Sequence, residues 1–484
     1  MKKTNTKLLA VLMTLALLIS AVCFMTAATE PTTAALGYSA SRVVKKDTTG
    51  IPDIKDYTNN NTAKEFVVSD ITGLETIAFY VNDGTTTFEG VTFYQTADIQ
   101  PSEAKSFGGI GKNATVIFAG TYDGQGYVIN NLTVSAGEPC GIFKTTCGTL
   151  RNIVIGENVV VNGPKSKTGG LVGEVRTAGT TVIDNCYVAA TVTSAAALNG
   201  GIVGQADYEA TKSENAKLEI KNCTFAGSLV SKNGRCGGLL GRAAAIALEI
   251  DNCVNAGSVS TGTADAPAQV AEIANAETGD IKKVSAAGGF VGETTKGADK
   301  ILIKNSVNIG NITSGYSAAA FIGSLPANAG ATVQNCTNYG TVTNKTASGT
   351  GVKVGETDVL MKYHSTLAGY IFNTGAVLTI GEDSKDLKGQ TAPTFEKVTM
   401  PEVTTPEETT PEETTTEEAT TPEETTTEEV TTAKKDTETT KAPAETDDKT
   451  TTDKGGCGSI VSGSVALIVS IACGAMMIVR KKED

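Results

Sequence analysis

The chain has 484 residues, a formal net charge of −13 at pH 7 and a pI of about 4.9, and it contains one histidine and no tryptophan. The acidic balance disfavours a nucleic-acid-binding surface. The single histidine, His364, excludes a zinc peptidase of the His-Glu-x-x-His kind, which needs two. Residues 401–454 alone carry 17 acidic residues and five lysines, so most of the negative charge lies outside the repeats described below.

Residues 1–28 have the pattern of a secretory signal peptide. Lysines precede the apolar stretch 8–22, and small residues after it offer a cleavage region. The apolar run is close to the length that crosses a bilayer, so an uncleaved anchoring helix stays open as an alternative. A lipoprotein processed at Cys23 is less favoured, because Val22 is bulkier than the small residue that such processing prefers. Residues 29–68 form an N-terminal lead-in.

The segment Ser69–Asp83 is predicted to be a short amphipathic helix that covers the first coil. Its apolar residues recur at helical spacing: Leu74, Ile77, Ala78 and Val81. Ser69 or Thr72 is the candidate N-cap, and Gly84 ends the helix. Two strand-like segments follow, Thr85–Thr96 and Thr115–Ala119. Residues 69–134 are therefore expected to form an N-terminal cap and a first coil.

A phrase built around asparagine recurs along the middle of the chain: an apolar residue, any residue, Asn, and then usually Cys or an aliphatic residue. The asparagines are Asn131, Asn152, Asn185, Asn222, Asn252, Asn305 and Asn335. Successive ones lie 21, 33, 37, 30, 53 and 30 residues apart. A repeat of about 30 residues indicates a stacked solenoid, in which each coil contacts only its neighbours.

A glycine-rich phrase of the form Gly-Gly-apolar-apolar-Gly keeps step with the asparagine phrase. Its glycines are Gly170, Gly173, Gly201, Gly204, Gly238, Gly241, Gly289, Gly292 and, in a degenerate copy, Gly323. The missing side chains suit a corner where neighbouring backbones pack closely. A phosphate-binding loop is excluded, since no Lys-Ser/Thr pair or following helix accompanies these glycines.

Short alternating stretches rich in Val, Ile and Thr, punctuated by Gly or Asn, predict short strands separated by tight bends. Coils of about 30 residues then describe an all-β fold, a right-handed parallel β-helix over residues 135–355. Asn suits a bend because it tolerates the left-handed backbone conformation. Stacked about 4.8 Å apart, its amides can hydrogen-bond along a ladder inside the stack. We therefore assign both phrases a structural role.

Four of the ten cysteines share one repeat position, directly after the asparagine: Cys186, Cys223, Cys253 and Cys336. Ile153, Leu132 and Ser306 fill that position in other copies, which indicates a buried ladder of free thiols. Disulfides between coils stay open as an alternative, because equivalent Cα atoms about 4.8 Å apart can be bridged. No role is assigned to the three remaining cysteines of this region, Cys140, Cys147 and Cys236.

Four segments follow the repeats. Residues 356–397 are predicted to cover the last coil. Residues 398–457 form a Thr-, Glu- and Pro-rich stalk that lacks the apolar residues needed to offset ordering entropy. Residues 458–479 contain a charge-free apolar run long enough to cross a membrane, and the basic tail 480–484 should stay cytoplasmic. The pattern predicts a single-pass cell-membrane protein whose N-terminal ectodomain lies outside.

Parts of the repeat region resemble a known family. The stretch Gly120–Leu132, followed by Cys140-Gly141-Ile142-Phe143, resembles the opening coils of GLUG-motif surface proteins. The Gly-Gly-Leu-Val-Gly-type phrases resemble the GLUG motif itself, and the C-terminal tail resembles those of surface proteins of clostridia-like bacteria. The resemblance implies a pectin-lyase-like β-helix on a bacterial surface. It implies no catalytic residue.

Few residues in the sequence suggest a catalytic or metal-binding site. Arg176, Arg235 and Arg242 lie near the glycine phrases without an accompanying cluster of acids, so we expect them to be solvated. Asp123 is predicted to form a turn rather than to bind a metal. No catalytic residue, no metal site and no cofactor is predicted.

The long interval between Ser260 and Ala286 predicts a surface insertion, which is either a tolerated one or a binding element. Its alanine-rich run is a candidate short helix.

Location and shape favour a non-enzymatic surface protein that acts in adhesion or in contact with glycans of an envelope or a host. Two alternatives stay open: a polysaccharide lyase or hydrolase with an unrecognised site, and a passive spacer. The expected partners are the membrane, through 458–479, and a glycan or cell-surface ligand, but no nucleic acid.

Overall fold

The computed structural model describes residues 35–401, except for 136, 209–214, 233, 263–271, 276–279, 283–284, 296–299, 327–328, 345–351, 355–357, 364 and 373–375. The predicted signal peptide, most of the predicted stalk, the predicted membrane helix and tail, and His364 lie outside the described residues. Within them, no helix is long and apolar enough to cross a bilayer.

Each of the central coils of the chain passes through five β-sheets in turn, which we number 1 to 5 in the order of the chain, whereas the first and last coils have no strand in sheet 1. In one coil the strands are Thr168–Gly169, Val172–Thr177, Thr180–Asp184, Tyr187–Val188 and Thr191–Ser194. Each of these strands pairs in parallel with the equivalent strand of the next coil. Short strands of this kind form because β-branched residues alternate with turn-forming Gly and Asn.

Within each sheet, neighbouring strands follow one another in space along the solenoid. Sheet 1 contains, in that order, Thr168–Gly169, Asn199–Gly200, Arg235–Gly237, Ala286–Gly288 and Ser317–Ala319. Sheet 2 contains Phe143–Thr146, Val172–Thr177, Val203–Tyr208, Leu240–Ala244, Val291–Thr294, Ile322–Leu325, Ala368–Phe372, Asp358–Tyr363 and Val352–Val354. Sheet 3 contains Glu65–Val68, Thr92–Gln95, Thr121–Asp123, Thr149–Arg151, Thr180–Asp184, Lys217–Lys221, Ala247–Asp251, Ile301–Lys304, Gly330–Gln334 and Val377–Ile380. Sheet 4 contains Val128–Ile129, Val154–Ile155, Tyr187–Val188, Thr224–Phe225, Val254–Asn255, Val307–Asn308, Thr337–Asn338 and Lys385–Asp386. Sheet 5 contains Lys105–Phe107, Leu132–Val134, Val160–Gly163, Thr191–Ser194, Ser228–Ser231, Ser258–Thr261, Ile312–Ser314 and Val342–Asn344.

Equivalent residues of successive coils pair in register. In sheet 3, Ile183 lies opposite Ile220, Ile220 opposite Ile250, and Ile250 opposite Ile303. Antiparallel pairing occurs among the described strands at the C-terminal edge of sheet 2 and in one hairpin. The described part of the chain is thus an all-β parallel β-helix, as the repeats predict.

An α-helix, Ile71–Asn82, connects the first two strands of sheet 3. Its predicted apolar face is confirmed, since these residues are buried in the core: Leu74, Ile77, Ala78 and Val81. Both predicted N-caps are wrong, because the carboxylate of Asp70 accepts a hydrogen bond from the amide of Gly73 (3.0 Å). Two short 3-10 helices precede it, Ala40–Arg42 and Ile54–Asn59.

The strands expected just after this helix are shorter than predicted. The segment 85–96 forms a strand only at Thr92–Gln95, and the segment 115–119 contributes an isolated bridge at Phe118. Side chains hold the start of the first segment in turns, since Asp83 accepts a hydrogen bond from the amide of Thr85 (2.8 Å). Such local bonds compete with strand pairing. The lead-in, conversely, already contains the first strand of sheet 3, Glu65–Val68.

The β-helix continues beyond Gly355, where the sequence pattern fades. Ala368–Phe372, Val377–Ile380 and Lys385–Asp386 add a further coil to sheets 2, 3 and 4. Much of the segment 356–397, which was predicted to cover the last coil, is therefore part of the β-helix. The pattern fails here because these strands keep the backbone pairing without the asparagine and glycine phrases.

The insertion that follows sheet 5 contains a hairpin rather than the predicted helix. Glu272–Asn275 and Asp280–Lys282 pair as antiparallel strands, with Ile273 opposite Ile281. The remainder of the alanine-rich run lies outside the described residues.

The core of the first coils contains a column of aromatic rings that the sequence patterns did not reveal. Phe66, Phe93, Phe118 and Phe143 are fully buried or nearly so. Successive ring centroids are 5.9, 5.9 and 5.2 Å apart. Ring pairs at this spacing contribute about 0.5–1.5 kcal/mol each beyond their buried area. Aromatic stacking therefore stabilises the N-terminal end of the solenoid.

Two extended segments lie against the outer face of sheet 4. We call residues 35–46 the N-terminal strap and residues 391–401 the C-terminal strap. Tyr38 of the N-terminal strap is buried beside Tyr187, with ring centroids 5.8 Å apart. The amide of Ser39 donates to Asn185 Oδ1 (2.9 Å), and Asn185 Nδ2 donates to the Ser39 carbonyl (3.1 Å).

The C-terminal strap completes this apolar cover. Val398 and Met400 pack against the cluster formed by Tyr38, Val128, Val154 and Tyr187. Gln100 Nε2 donates a hydrogen bond to the carbonyl of Pro401 (3.2 Å). Residues 398–401, which the sequence places in the stalk, therefore belong to the folded body.

A second asparagine ladder lies inside the β-helix, at a position that the sequence analysis missed. Asn255 Nδ2 donates to Asn308 Oδ1, and Asn308 Nδ2 donates to Asn338 Oδ1, both at 2.7 Å. Asn338 Nδ2 then donates to Asp386 Oδ1 at 2.8 Å. The three asparagines are fully buried, so these bonds offset the cost of burying their amides.

Replacing Asn308 by alanine should lower the free energy of unfolding by about 2–3 kcal/mol, because buried polar groups on two neighbouring coils lose a partner. A matched control is Asn305→Gly, which removes an exposed amide from the same coil. Glycine accepts the φ of +51° found at Asn305, so the loss there should stay within about 1 kcal/mol. Chemical denaturation followed by circular dichroism measures both changes. Equal losses would contradict the stabilising role of the buried ladder.

Candidate functional site

Six of the seven predicted asparagines occupy one corner between sheets 3 and 4. The seventh, Asn131, was wrongly aligned with them, because it lies between the sheet 4 strand Val128–Ile129 and the sheet 5 strand Leu132–Val134. Leu132 therefore does not share the position of the cysteines, and Gln125, at φ +49°, takes the sheet 3 to sheet 4 corner of that coil. The φ angles of the seven asparagines lie between +48° and +54°, a conformation that Asn tolerates better than most residues. Their side chains lie at the edge of the stack rather than inside it. Asn305 and Asn335 are exposed, whereas Asn185 is buried beneath the N-terminal strap.

The amides of this corner form interrupted pairs instead of the continuous ladder that we expected. Three bonds join one asparagine to the next: Asn185 to Asn152 (2.9 Å), Asn252 to Asn222 (2.8 Å) and Asn335 to Asn305 (2.9 Å). Three others go to an aspartate: Asn152 to Asp123 (2.9 Å), Asn222 to Asp184 (2.8 Å) and Asn305 to Asp251 (2.8 Å). Asn131, outside this corner, donates to the carbonyl of Pro101. An aspartate of the preceding coil takes these bonds, because a carboxylate is the stronger acceptor.

The glycine phrases form two columns of close backbone contact. A β-carbon on Gly170, Gly201 or Gly238 would lie 2.2–2.3 Å from the carbonyl oxygen of the next coil's equivalent glycine. The third glycine of each phrase, at Gly173, Gly204, Gly241, Gly292 and Gly323, is similarly enclosed by backbone atoms at 2.5–2.7 Å. A β-carbon on Gly289 would lie 2.2 Å from the carbonyl oxygen of Ala320. A larger residue at these positions would overlap backbone atoms of neighbouring coils, so the glycines have a structural role.

The cysteines after the corner form a buried column of thiols. The amide of Cys186 donates to Cys223 Sγ, and the amide of Cys223 donates to Cys253 Sγ, both at 3.4 Å. Ser306 continues the column by accepting from the amide of Cys253 (3.1 Å). Cys336 lies further along the same position and is also buried. All four thiols are free, and burial raises the pKa of Cys336 to about 12.

Arg176, expected to be solvated, is instead largely buried and paired with acids. Its Nη1 lies 3.5 Å from Glu174 Oε1 and 3.7 Å from Asp207 Oδ2. Lys167 Nζ approaches the same oxygen of Glu174 at 3.0 Å, from a residue held at φ +63°. The Glu174 side chain is only 3% exposed, so two cations offset the cost of burying its charge.

The other two arginines, also expected to be solvated, form a second cluster. Arg235 Nε and Arg242 Nε lie 3.1 and 3.7 Å from the two carboxylate oxygens of Glu293. We call both clusters together the charged recess. The prediction was wrong because Asp207 and Glu293 come from other coils than the arginines they meet, and only the register between coils brings them together.

The charged recess follows one position of sheet 2, directly after the last glycine of each phrase. Glu174, Gln205, Arg242 and Glu293 lie opposite one another in successive coils. The insertion returns beside it, since Ala286 pairs with Arg235 in sheet 1. The chain after the insertion thus re-enters the β-helix next to the charged recess.

The outer face of sheet 3 carries a network that we call the ion-pair mosaic: Lys217, Glu219, Lys221, Glu249, Asp251 and Lys304. Lys217 Nζ lies 2.6 Å from the carboxylates of both Glu219 and Glu249. The other oxygen of Glu249 lies 3.0 Å from Lys304 Nζ. Hydrogen bonds from Lys217 and Lys304 lower the pKa of Glu249 to about 2.

A groove of about 610 Å³ opens at the edge of this mosaic, and we call it the edge groove. Its lining includes Leu302 and Ala247, which we call its apolar floor, and the polar residues Lys217, Glu249, Lys300 and Thr332. Leu302 and Ala247 are only partly covered, so apolar carbon is accessible between charged groups. No sequence pattern indicates this groove, because its lining residues come from five coils.

The predicted turn at Asp123 is present. Asp123 Oδ1 accepts hydrogen bonds from the amide of Gln125 (3.0 Å) and from Asn152 Nδ2 (2.9 Å), and Oδ2 pairs with Arg151 Nε (2.8 Å). In the described part of the chain, no group of three or more His, Cys, Asp or Glu side chains is arranged to hold a metal ion.

Comparison with known proteins adds one distant structural likeness. No family model matches the sequence, and no curated protein matches it. A crystal structure of a putative immunoglobulin A1 protease from Bacteroides ovatus is similar over 66% of this chain and 84% of that one. The sequence identity is 20% and the TM-score is 0.45.

The thiols of Cys186, Cys223 and Cys253 should not react with N-ethylmaleimide in the folded protein. They are fully buried, and burial raises the pKa of Cys186 and Cys253, which disfavours the reactive thiolate. The partly exposed Cys147 is the internal comparison and should be labelled. Mass spectrometry of the digested protein measures labelling at each position. Rapid modification of Cys223 without unfolding would contradict the buried column.

Acid should destabilise the ion-pair mosaic. The folded-state pKa of Glu249 is about 2, below its ordinary value of 4.5. Its stabilising contribution is therefore complete above the ordinary value and is lost as the pH falls through the folded-state value. The melting temperature should decrease steadily over that interval.

The matched variant is Glu249→Gln, which should have a lower melting temperature at neutral pH and a shallower decrease in acid. Differential scanning calorimetry across the pH range measures both. If the variant and the unmodified protein showed parallel acid profiles, Glu249 would not contribute as described.

Proposed function

We propose that this protein is a non-enzymatic, membrane-anchored bacterial surface protein whose β-helix binds glycans of an envelope or of another cell. Export by residues 1–28, a stalk beginning after Pro401 and retention by residues 458–479 are parts of the proposal. The resemblance to GLUG-motif surface proteins supports the same location. The parallel β-helix supports it as well, since solenoids present extended outer surfaces for binding.

The edge groove is the observation that carries the binding part of the proposal. Its volume lies within the range of about 300–1,000 Å³ typical of small-ligand sites. It combines accessible apolar carbon at Leu302 with ammonium, carboxylate and hydroxyl groups. A sugar ring has the complementary surface, with an apolar face and a rim of hydroxyl groups. A passive spacer would not need such a groove.

A polysaccharide-active enzyme is the second candidate function. The charged recess favours it, because the carboxylates of Glu174 and Asp207 approach one guanidinium group, that of Arg176. Paired carboxylates are the groups that glycoside hydrolases use. This candidate is weaker, since these carboxylates and that of Glu293 are already engaged by cations.

The full-length protein, purified in mild detergent, should bind a subset of glycans on an array and release no new reducing ends or unsaturated products from polysaccharides. Deleting residues 263–284, which keeps the paired strand Ser258–Thr261 and the buried Ser285, should leave this binding unchanged, because the lining of the edge groove includes no residue of the insertion. Loss of binding on deletion would move the site to the insertion. Product formation that Glu174→Gln abolishes would establish the enzyme instead, and an array without any bound glycan would overturn the proposal.

A further inference from the structure

We propose that the edge groove binds a terminal acidic sugar of a glycan, with the ammonium group of Lys300 pairing with the sugar carboxylate. The inference rests on the glycan binding proposed above and names the class of sugar that the groove accepts. It follows from three properties of the groove: one uncommitted cation, a neutralised carboxylate and an apolar floor.

The lysines around the groove differ in whether their charge is already offset. Lys217 lies 2.6 Å from two carboxylates, and Lys304 lies 3.0 and 3.4 Å from Glu249 and Asp251. Lys300 is exposed and lines the groove. Among the described residues it has no ion-pair partner. An anionic ligand therefore meets a cation at Lys300 that can form a charge-assisted hydrogen bond.

The carboxylate in the groove does not oppose such a ligand. Glu249 uses one oxygen to accept from Lys217 (2.6 Å) and the other to contact Lys304 (3.0 Å). Both oxygens thus already face ammonium groups, which offset the negative charge. Lys217 has a third N–H beyond those directed at Glu219 and Glu249, and a lysine can donate three hydrogen bonds in all. That remaining donor suits a sugar hydroxyl.

The floor and rim of the groove fit a sugar better than a simple anion. Leu302 and Ala247 offer apolar carbon, against which the apolar face of a pyranose ring can pack. The hydroxyl groups of Thr180 and Thr332 lie on the rim and can donate to or accept from ring hydroxyls. The volume of about 610 Å³ accepts the end of a glycan rather than a long stretch of it.

The test compares two immobilised glycans that differ only in the terminal residue, one ending in sialic acid and the other in galactose. The full-length protein in mild detergent should bind the acidic glycan about tenfold more tightly, the effect of one charge-assisted hydrogen bond. Lys300→Gln should abolish this preference. Lys388→Gln is the matched control, because it removes the same charge from another exposed lysine and should leave the preference intact. Added salt should weaken the binding of the acidic glycan more than the binding of the neutral glycan.

Several outcomes would overturn the inference. An unchanged preference in Lys300→Gln, with the melting temperature also unchanged, would exclude Lys300 as the carboxylate partner. Equal binding of both glycans would leave glycan binding standing and remove the acidic specificity. Competition by a short acidic peptide as strong as that by free sialic acid would assign the groove to peptides. Failure of every glycan to bind would instead overturn the proposed function itself.

Discussion

The hydrogen-bonded register between successive coils is the constraint on which the rest of this structure depends. Parallel pairing sets each residue opposite its equivalent in the next coil, as in the series Ile183, Ile220, Ile250 and Ile303. Any residue type that recurs therefore becomes a column with a spacing of about 4.8 Å. Glycines, amides and thiols form such columns, and each column is stable only if identical side chains can pack or hydrogen-bond with one another at that spacing.

The same residue type has different consequences on the two sides of the sheets. Corner asparagines such as Asn305 suit their position because Asn tolerates the left-handed backbone conformation found there. Their side-chain amides donate to an asparagine or an aspartate of the preceding coil, as Asn305 does to Asp251. Asn308, only three residues later, has a fully buried amide that must be satisfied by neighbouring coils. The first role tolerates interruption by an aspartate. The second requires an unbroken ladder, because an unpaired amide in the core is costly.

With the core filled by these columns, a binding site would have to lie on the outer faces. The two straps cover the apolar outer face of sheet 4, where Tyr38 and Met400 pack against the solenoid. Sheet 2 carries the charged recess, in which the charges are largely buried and mutually engaged. Sheet 3 combines the ion-pair mosaic with an accessible groove and with Lys300, a cation that has no ion-pair partner within the described part of the chain. This contrast is why we assign binding to sheet 3 and regard the recess mainly as a buried electrostatic network.

The sequence by itself determined the repeat, the parallel β-helix and the buried face of the helix Ile71–Asn82, because these follow from short-range periodicity. It also located the turn at Asp123 and the corner asparagines. Only the tertiary structure decided the partners of Arg176, Arg235 and Arg242, the buried ladder at Asn308, the straps and the edge groove. Each of these depends on which residues of different coils lie side by side. Intervals between the corner asparagines from Asn152 to Asn335 vary from 30 to 53 residues, so spacing along the chain does not reveal that register, and backbone pairing between coils does.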